Sequence, residues 1–370
     1  MASFVRVLAL IATSLVVAAC APSSTDGHED DADGELATGE PSASDDALTS
    51  STIGSYVAVA PVPRVATAPT PTMLGTPIAV GQRLSIIRSF VFRGTAAKLV
   101  VDVDKMTTAV VASTDVERDT RLANATDAIA SSPYASSLAA TLASAQPNRA
   151  LDHVGAASFP ASTTEPFALT IDMCQSRRAW DRRLYEWAVD LATDLGRPVP
   201  IGIAMTGGWA KEHSTELDQL LAWQKQGKLD ITWINHSSTH PLHCLDSACR
   251  RAEFLTAASV DFDEEVLGLE RTLLARDILP SVIFRFPGLV HDARRLGQLA
   301  KLSLLPLDAN GWIAKGQPIA PRAVVLVHGN GNEPPGITGF LSQAESRKAA
   351  LRSGATALVS PLFIAPSPPR

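Results

Sequence analysis

Between about residues 165 and 365, short apolar runs alternate with longer amphipathic segments. FALTI precedes RRAWDRRLYEWAVDLATDLG, which has a helical period and ends at a glycine. The alternation continues through VPIGIAM and STELDQLLAWQKQG, KLDITWI and FDEEVLGLERTLLARD, SVIFRF and ARRLGQLAKL, and finally AVVLVH, LSQAESRKAALRSG and ATALVSP. Strands that alternate with helices are typical of βα units and a parallel sheet. The pattern therefore predicts an α/β domain, either a doubly wound sheet or a closed or incomplete (β/α) barrel.

The segment before this domain carries weaker signals. SIIRSFVFRG and AKLVVDVD are rich in β-branched residues and partly alternate, so they predict strands. LANATDAIASSPYASSLAATLASA is alanine-rich and predicts a helix. No group of residues with an evident chemistry occurs here. We interpret residues 76–164 as a small N-terminal extension or an accessory module, and both alternatives remain open.

Residues 1–20 have the pattern of a secretory signal peptide. The apolar stretch between Arg6 and Cys20 is shorter than the ~20 residues of a membrane-spanning helix. Its end, VAAC, resembles a bacterial lipobox, which implies cleavage before Cys20 and lipidation of its sulfur. The alternative is an ordinary signal peptide that is cleaved near the same alanines. The resemblance predicts a lipoprotein of the bacterial cell envelope, anchored through Cys20 at the outer membrane, in the periplasm or at the cell surface.

Residues 21–75 show no apolar periodicity and contain the acidic DGHEDDADGELATGE and the proline-rich VAPVPRVATAPTPT. Such compositions bury too little apolar surface to fold, so we predict a disordered tether. The net charge of −6 has its origin here, because residues 26–46 include acidic side chains but neither lysine nor arginine. The rest of the chain is close to neutral. It offers no basic surface for nucleic acid, and no nucleic-acid partner is expected.

Polar residues that are capable of catalysis recur where the predicted strands end. Asp172 ends the first strand, NHSSTHP follows the third, RFPG ends SVIFRF, DANGW follows a short strand near 303, and His328 ends AVVLVH. The carboxyl ends of barrel strands carry the chemistry in folds of this kind. His236 and His240, four residues apart on a turn or short helix, bring both rings to one side. They are candidate metal ligands; the alternative is a pair of surface or structural histidines.

Taken in order, TID, HSSTHP, RFPG, DANGW and LVH resemble the five motifs of the polysaccharide deacetylases, the NodB-homology group of carbohydrate esterases (family 4). The histidine motif is complete and fairly specific, whereas the others carry weight mainly through their order. The resemblance covers residues 165–365 and implies a deacetylase-like, incomplete (β/α) barrel. It also implies a hydrolase of carbon–nitrogen (amide) bonds that removes N-acetyl, or alternatively O-acetyl, groups from an envelope or extracellular polysaccharide with a divalent metal, usually zinc.

The resemblance also implies roles for individual residues. His236 and His240 would hold the metal, Asp172 would be the general base, Arg285 would pair with that base, and His328 would be the general acid. The sugar pocket is expected at three further positions, Trp312, Asp308 and Pro287. The alternatives for Asp172, Arg285 and His328 are a turn cap, a surface salt bridge and a structural histidine.

Three positions depart from the family pattern. Met173 stands where the family has its metal aspartate, Cys174 stands where glycine is usual, and Gly311 stands where an aspartate tunes the acid histidine. Asp172 could serve as both ligand and base, or Cys174 could supply a thiolate. Alternatively, the protein is an inactive carbohydrate-binding lipoprotein, or a scaffold whose N-terminal module binds a protein partner. If position 173 faces the metal, Met173→Asp is expected to tighten zinc binding.

Cysteine pairing bears on the same site. Besides Cys20, the chain contains Cys174, Cys244 and Cys249. Two of these should pair in an oxidising envelope. We favour Cys244–Cys249, which leaves Cys174 as a free thiol near the site; the alternative is Cys174–Cys244.

Overall fold

The computed structural model describes residues 52–117, 121–125, 129–144, 165–247, 249 and 251–363. The predicted signal peptide, with Cys20, and the acidic stretch after it lie outside these residues. Within the described part of the chain, no helix is both long enough and apolar enough to cross a membrane. An antiparallel sheet forms the N-terminal part of this structure, and a parallel sheet with helices forms the C-terminal part.

The N-terminal sheet is antiparallel and has the strand order β4-β3-β2-β1-β5. Its strands are, in chain order, β1 (Ile53–Ala66), β2 (Arg83–Phe92), β3 (Thr95–Asp102), β4 (Thr108–Ala112) and β5 (Leu122–Asn124). Two helices accompany it, α1 (Thr114–Glu117) and α2 (Pro133–Ser144). The predicted strands are confirmed as β2 and β3. The predicted helix is confirmed only over α2, because residues 122–124 pair with β1 instead.

Strand β1 corrects the prediction of a tether over residues 21–75, which is wrong for residues 53–66. This strand pairs with β2 although it contains Pro61 and Pro63. A proline cannot donate to a ladder and is tolerated mainly at a sheet edge or a bulge. On its other side β1 pairs with β5 only at residues 64–66, and a register shift occurs between Ala58 and Val62. The prolines therefore lie where the ladder does not need their missing N–H groups.

The C-terminal sheet has the order β12-β11-β8-β7-β6-β14-β13, with β15 beside β6, and its described pairings are parallel. Its strands, with the separate ribbon of β9 and β10, are β6 (Glu165–Met173), β7 (Val199–Met205), β8 (Leu229–Asn235), β9 (His243–Cys244), β10 (Ala252–Glu253), β11 (Ile283–Phe284), β12 (Leu305–Pro306), β13 (Gly311–Trp312), β14 (Val324–His328) and β15 (Thr356–Leu358). The helices are α3 (Arg183–Leu195), α4 (Gly207–Glu212), α5 (Ser214–Lys225), α6 (Phe262–Ala275), α7 (Ala293–Lys301) and α8 (Pro334–Ser353). The predicted α/β class is confirmed.

The two edges of this sheet are close together in the chain. Strand β12 ends at Pro306 and β13 begins at Gly311. A connection of this length spans at most about 18 Å when fully extended. Strands laid flat in the observed order would place the same edges about 29 Å apart, at about 4.8 Å per strand. The sheet must therefore curl until its edges approach each other, which gives the predicted incomplete barrel.

The strand period of two determines where the side chains of β6 point. Ile171 and Met173 belong to the core cluster that the sheet shares with its covering helices. Ala168 points to the other face and joins a second cluster, which includes Phe90 and Leu99 of the N-terminal sheet. The N-terminal sheet is therefore packed into the core of the barrel, and Asp172 points away from the helix-covered face.

A buried ion pair joins the N-terminal sheet to helix α6 of the barrel domain. Arg88 of β2 donates from Nε and Nη2 to the two carboxylate oxygens of Glu270 on α6, at 2.7 and 2.8 Å. Tyr56 of β1 donates to the same carboxylate at 2.7 Å, and Arg88 Nη1 donates to the Leu302 carbonyl at 2.8 Å. Both charged side chains are buried. Polar groups of the N-terminal sheet are thus paired only while it remains docked on the barrel.

The favoured disulfide, Cys244–Cys249, is confirmed, and it staples the ribbon that follows the histidine motif. Cys174 is disulfide-bonded as well. The expectation that Cys174 remains a free thiol was therefore wrong.

Candidate active site

The site lies where parallel strands end at one rim of the barrel. Strands β6 and β14 are in register, so that Asp172 is directly paired with His328. Strands β8 and β11 are in register at Asn235 and Phe284, so the residues that follow each of them emerge side by side. The sheet therefore brings four of the predicted polar segments to one rim.

Asp172 and Arg285 form a buried ion pair at this rim. Arg285 Nη1 donates to the Asp172 carboxylate at 3.1 and 3.4 Å, and Nη2 donates to Thr170 Oγ1 at 3.0 Å. Both side chains are buried, and each charge compensates the other. The predicted pairing of the candidate base with its arginine is present, and the surface salt bridge considered for Arg285 is not.

His236 is fully buried beside this pair. Its Nδ1 lies 2.8 Å from the carbonyl oxygen of Arg285, which assigns the proton to Nδ1 and leaves the Nε2 lone pair directed into the site. Nε2 lies 3.9 Å from Asp172 Oδ2 and 3.6 Å from Cys174 Sγ. Burial lowers the pKa of His236 to about 3, and the charges of Arg285 and His328 also act to lower it. The ring is therefore neutral at neutral pH.

His240 completes the histidine pair. Its ring centroid lies 5.0 Å from that of His236, and its ring packs edge-on against Phe254 at 5.5 Å. Burial, followed by the charge of His236, lowers the pKa of His240 to about 3. Its Nε2 is buried without a hydrogen-bond partner in the described part of the chain. A buried unsatisfied nitrogen costs about 1–3 kcal/mol, so an ion at this position would satisfy it.

The loop that carries the histidines is not a helical turn. Ser237 and His240 adopt left-handed backbone conformations, with φ of 72° and 49°. Ser237 Oγ accepts from the His240 N–H at 3.1 Å, and Asn235 Oδ1 accepts from the Ser237 N–H at 3.0 Å. Gly207 packs so close that a Cβ there would lie 2.7 Å from the carbonyl oxygen of Ser238. Local hydrogen bonds therefore determine where the two rings point.

Helix α6 supports the same loop through Glu265. Its carboxylate accepts from the Thr239 N–H at 2.9 Å and from Thr239 Oγ1 at 2.5 Å, and its carbonyl accepts from the Ser238 N–H at 2.8 Å. Ser237 thus fixes the loop through the hydrogen bond from its side chain to the backbone of His240. The hydroxyl of Thr239 bonds to a side chain rather than to the backbone.

The end of β6 differs from the family pattern. The Met173 side chain is buried in the helix-covered core, where its sulfur accepts from the Tyr185 hydroxyl at 2.9 Å. Cys174 instead points into the site, where its Sγ and ring nitrogens of His236 and His240 all lie within 4.8 Å of one another. A disulfide sulfur is not the thiolate that ligates metals, so the proposed thiolate at Cys174 requires its reduction. Met173 is not placed to ligate.

His328 lies at the end of β14 and contacts a residue that sequence reasoning missed. Its Nδ1 is 2.7 Å from Glu333 Oε2, and Trp312 Nε1 donates to the same oxygen at 3.2 Å. The rings of Trp312 and His328 lie 5.9 Å apart. Lys315 Nζ lies 3.5 Å from the centroid of the Trp312 ring. The available signal was a lone carboxylate in GNGNEPPG, five residues after the histidine.

Two predicted pocket residues lie in loops beside Trp312. Asp308 Oδ2 is 3.6 Å from His291 Nε2, while its Oδ1 is buried without a hydrogen-bond partner among the described residues. Pro287 is buried at the start of a short 3-10 turn, and Leu289 at the end of that turn packs against Trp312. Direct contacts thus join Asp172, Arg285 and His236, whereas Asp308 and Pro287 remain predicted pocket residues.

Chemically, this rim places an oriented carboxylate beside two neutral imidazoles. Donor atoms of His236 and His240, with Asp172 nearby, fit a divalent metal, because imidazole and carboxylate are common zinc ligands. His328, whose carboxylate partner is Glu333, lies in register with Asp172 on the neighbouring strand. This is a set of groups suited to metal-assisted hydrolysis with acid–base support.

No family model matches the sequence. In three dimensions the chain is similar to a family 4 carbohydrate esterase from Bacillus anthracis, with 17% identity, coverage of 56% of this chain and 83% of that chain, and a TM-score of 0.38. It is also similar to the chitin deacetylase from the fungal pathogen Colletotrichum lindemuthianum, with 19% identity, coverage of 56% and 89%, and a TM-score of 0.37. A third similar structure is a pseudoenzyme of carbohydrate esterase family 4 from Bacillus anthracis, with 16% identity, coverage of 50% and 62%, and a TM-score of 0.33.

These proteins belong to the group that the sequence motifs resemble. The likeness is one of low identity over about half of this chain, with TM-scores below 0.4. The function proposed below therefore rests on the residues of the site itself.

Proposed function

We propose that this protein is a hydrolase that removes acetyl groups from amide nitrogens of a polysaccharide, with a divalent metal at His236 and His240. One observation carries the proposal: Asp172 is paired with Arg285 in a buried site and lies 3.9 Å from the inward-facing Nε2 of His236. An oriented carboxylate beside neutral imidazoles, at the carboxyl ends of the barrel strands, supports general-base hydrolysis.

In this proposal the residues divide the reaction between them. Asp172 takes a proton from water, and Arg285 holds the carboxylate in place. The hydroxyl of the water bonds to the acetyl carbon, the carbon–nitrogen bond breaks, and His328 gives a proton to the departing amine. The products are acetate and the free amino sugar. Trp312 is buried beside His328, and in this proposal it would form one wall of the sugar pocket.

We propose zinc as the metal, held by His236 and His240 with Asp172 as the nearest carboxylate. Imidazole donors suit this ion, and the bond from His236 Nδ1 to the Arg285 carbonyl fixes one ring for it. When bound, zinc supplies a positive charge that polarises the acetamide carbonyl. The Cys174 sulfur could add a donor only after its disulfide is reduced.

A second candidate function is binding of the glycan without catalysis. One observation favours it: the end of β6 offers no second carboxylate, because Met173 is buried against Tyr185 and Cys174 is disulfide-bonded. In a site with one carboxylate, Asp172 must serve both as a ligand of the metal and as the general base. An inactive protein would retain the pocket but release no acetate.

The test combines metal analysis of the purified protein with an acetate-release assay on N-acetylglucosamine oligomers. We expect one equivalent of zinc and acetate release that is lost in Asp172→Asn, which removes the base and preserves the shape. Zinc-loaded protein that binds the oligomers without releasing acetate would support the inactive binder instead. Parallel assays on an O-acetylated glycan distinguish amide from ester specificity.

We also propose that the mature protein is anchored in the cell envelope by lipid on Cys20, which brings it to an envelope polysaccharide. The support is the lipobox-like VAAC sequence. Cys20→Ser is expected to release the protein from membranes. A sulfur that carries a lipid cannot also form a disulfide, so a Cys20–Cys174 linkage in the mass spectrum of the native protein would contradict this proposal.

A further inference from the structure

Glu333 lies beside His328, at a position to which none of the five motifs assigns a carboxylate. Gly311 stands where the resemblance implies an aspartate that tunes the acid histidine, so that position offers His328 no carboxylate. In the structure Glu333 Oε2 lies 2.7 Å from His328 Nδ1. The carboxylate reaches the ring from the loop that follows β14 rather than from β13, where Gly311 lies.

The surroundings of Glu333 hold its carboxylate in one position. Trp312 Nε1 donates to the same oxygen at 3.2 Å, and the side chain is mostly shielded from solvent. Glu333 is also the N-cap residue of the long helix α8, which begins at Pro334. The positive end of a helix favours a negative charge at this position. The hydrogen bond from Trp312 and the N-terminus of α8 therefore both favour a carboxylate oxygen at this position against the ring nitrogen.

The ring that Glu333 holds is close to the candidate metal ligands. His328 is paired in register with Asp172, whose carboxylate lies 3.9 Å from His236 Nε2. Because His328 Nδ1 is bonded to the Glu333 carboxylate, Nε2 is the ring nitrogen that would exchange a proton with a substrate. A histidine with this arrangement can give a proton to a leaving group and remain correctly oriented.

We propose that Glu333 is the positioning residue for His328, and that it replaces the carboxylate missing at Gly311 from a different element of the fold. This inference rests on the proposed function, in which hydrolysis adds water across the carbon–nitrogen bond. The hydroxyl goes to the acetyl carbon, and the proton from His328 Nε2 goes to the nitrogen, which leaves as the amine. His328 regains a proton from the water through Asp172 or solvent.

The test compares substrates whose leaving groups differ in their need for a proton. An N-acetyl sugar releases a basic amine, whereas 4-nitrophenyl acetate releases a phenolate that needs no acid. We expect Glu333→Gln to lower kcat on the amide about 10- to 100-fold and to leave the ester rate within about twofold. Glu333→Asp should recover part of the amide rate. The matched control is Glu345→Gln, an exposed position on the same helix.

An equal loss on both substrates, in a variant with unchanged melting temperature, would show that Glu333 is merely structural and would overturn the inference. An unchanged amide rate would overturn it as well. If the wild type releases no acetate from either substrate, the proposed function fails. Nitrogen-15 NMR of His328 then still tests whether Glu333 positions the His328 ring. A proton on Nδ1 that is lost in Glu333→Leu supports the positioning role, whereas identical tautomers in both proteins contradict it.

Discussion

The histidine loop (residues 235–241) and the end of β6 (residues 172–174) face the same site, but different interactions fix their side chains. In the loop, the Arg285 carbonyl accepts a hydrogen bond from His236 Nδ1, and Ser237 Oγ accepts one from the His240 N–H, so hydrogen bonds fix the backbone and the His236 ring. At the end of β6, strand alternation and core packing determine where the side chains point, so that Met173 is buried among apolar side chains.

This difference has a consequence for substitution. A side chain held by hydrogen bonds can be removed while the surrounding fold remains, so a change in the histidine loop should affect the ion more than the stability. A side chain held by packing belongs to the core, so a polar group at that position should affect the stability first.

The largest effect is expected from His236→Ala and His240→Ala. Each variant removes an imidazole from a site with a single carboxylate, so neither should retain stoichiometric zinc after desalting. The loss should exceed the about 10- to 100-fold that removal of an outer partner costs. Elemental analysis of the purified proteins measures it, with His243→Ala as the control because His243 is exposed on the ribbon. Full zinc occupancy in either alanine variant would identify other residues as the ligands.

Met173→Asp is expected to destabilise the protein by several kcal/mol, because it buries a carboxylate where the Tyr185 hydroxyl now meets a sulfur. This expectation replaces the tighter zinc binding that the motif comparison predicted. Thermal melts and calorimetric zinc titration measure the two quantities. Met173→Leu, which keeps the volume, should cost less than about 1.5 kcal/mol. A well-folded Met173→Asp protein with higher zinc affinity would mean that position 173 does reach the metal.

Glu265→Gln should loosen the histidine loop without unfolding the barrel. The carboxylate accepts two hydrogen bonds from Thr239, and an amide cannot accept both equally well. We expect about 10-fold weaker zinc binding and about 1 kcal/mol lower stability. The control is Glu264→Gln one residue earlier, whose side chain is exposed and paired with Arg271. If both variants bind zinc equally, the support from α6 is unimportant for the ion.

The smallest effect is expected from the double variant Cys244→Ser/Cys249→Ser. This disulfide closes a short loop in an exposed ribbon, so its loss should cost about 2 kcal/mol or less and leave zinc binding unchanged. The double variant is preferable to a reducing agent, because Cys174 is disulfide-bonded as well. Calorimetry and metal analysis provide the readouts, and a loss of zinc would show that the staple orders the histidine loop.

Much of the fold could be predicted because it follows from local patterns. Apolar strands that alternate with amphipathic helices predicted the parallel sheet, and the order of polar strand ends predicted the rim where Asp172 meets Arg285. Strand β1 was missed because Pro61 and Pro63 are atypical of strands. Their tolerance depends on which neighbours pair with β1, and a local pattern does not contain that information.

The parts of the site that the sequence did not predict depend on the direction in which strand side chains point and on the path of the loop after β14. Motif comparison aligned Met173 with a metal ligand, although a period of two places residues 172 and 173 on opposite faces of a strand. The contact between Glu333 and His328 depends on how a glycine- and proline-rich loop turns back. The unsatisfied Nε2 of His240 likewise became evident only from burial in three dimensions.

The ion pair between Arg88 and Glu270 limits how this molecule can move. Each charge would be left isolated if the two sheets parted, at a penalty of several kcal/mol per ion. The sheets should therefore melt in a single cooperative transition, and a hinge that swings one away from the other is not available. Any opening of the site has to come from the loops at the rim, because the N-terminal sheet and the barrel move together.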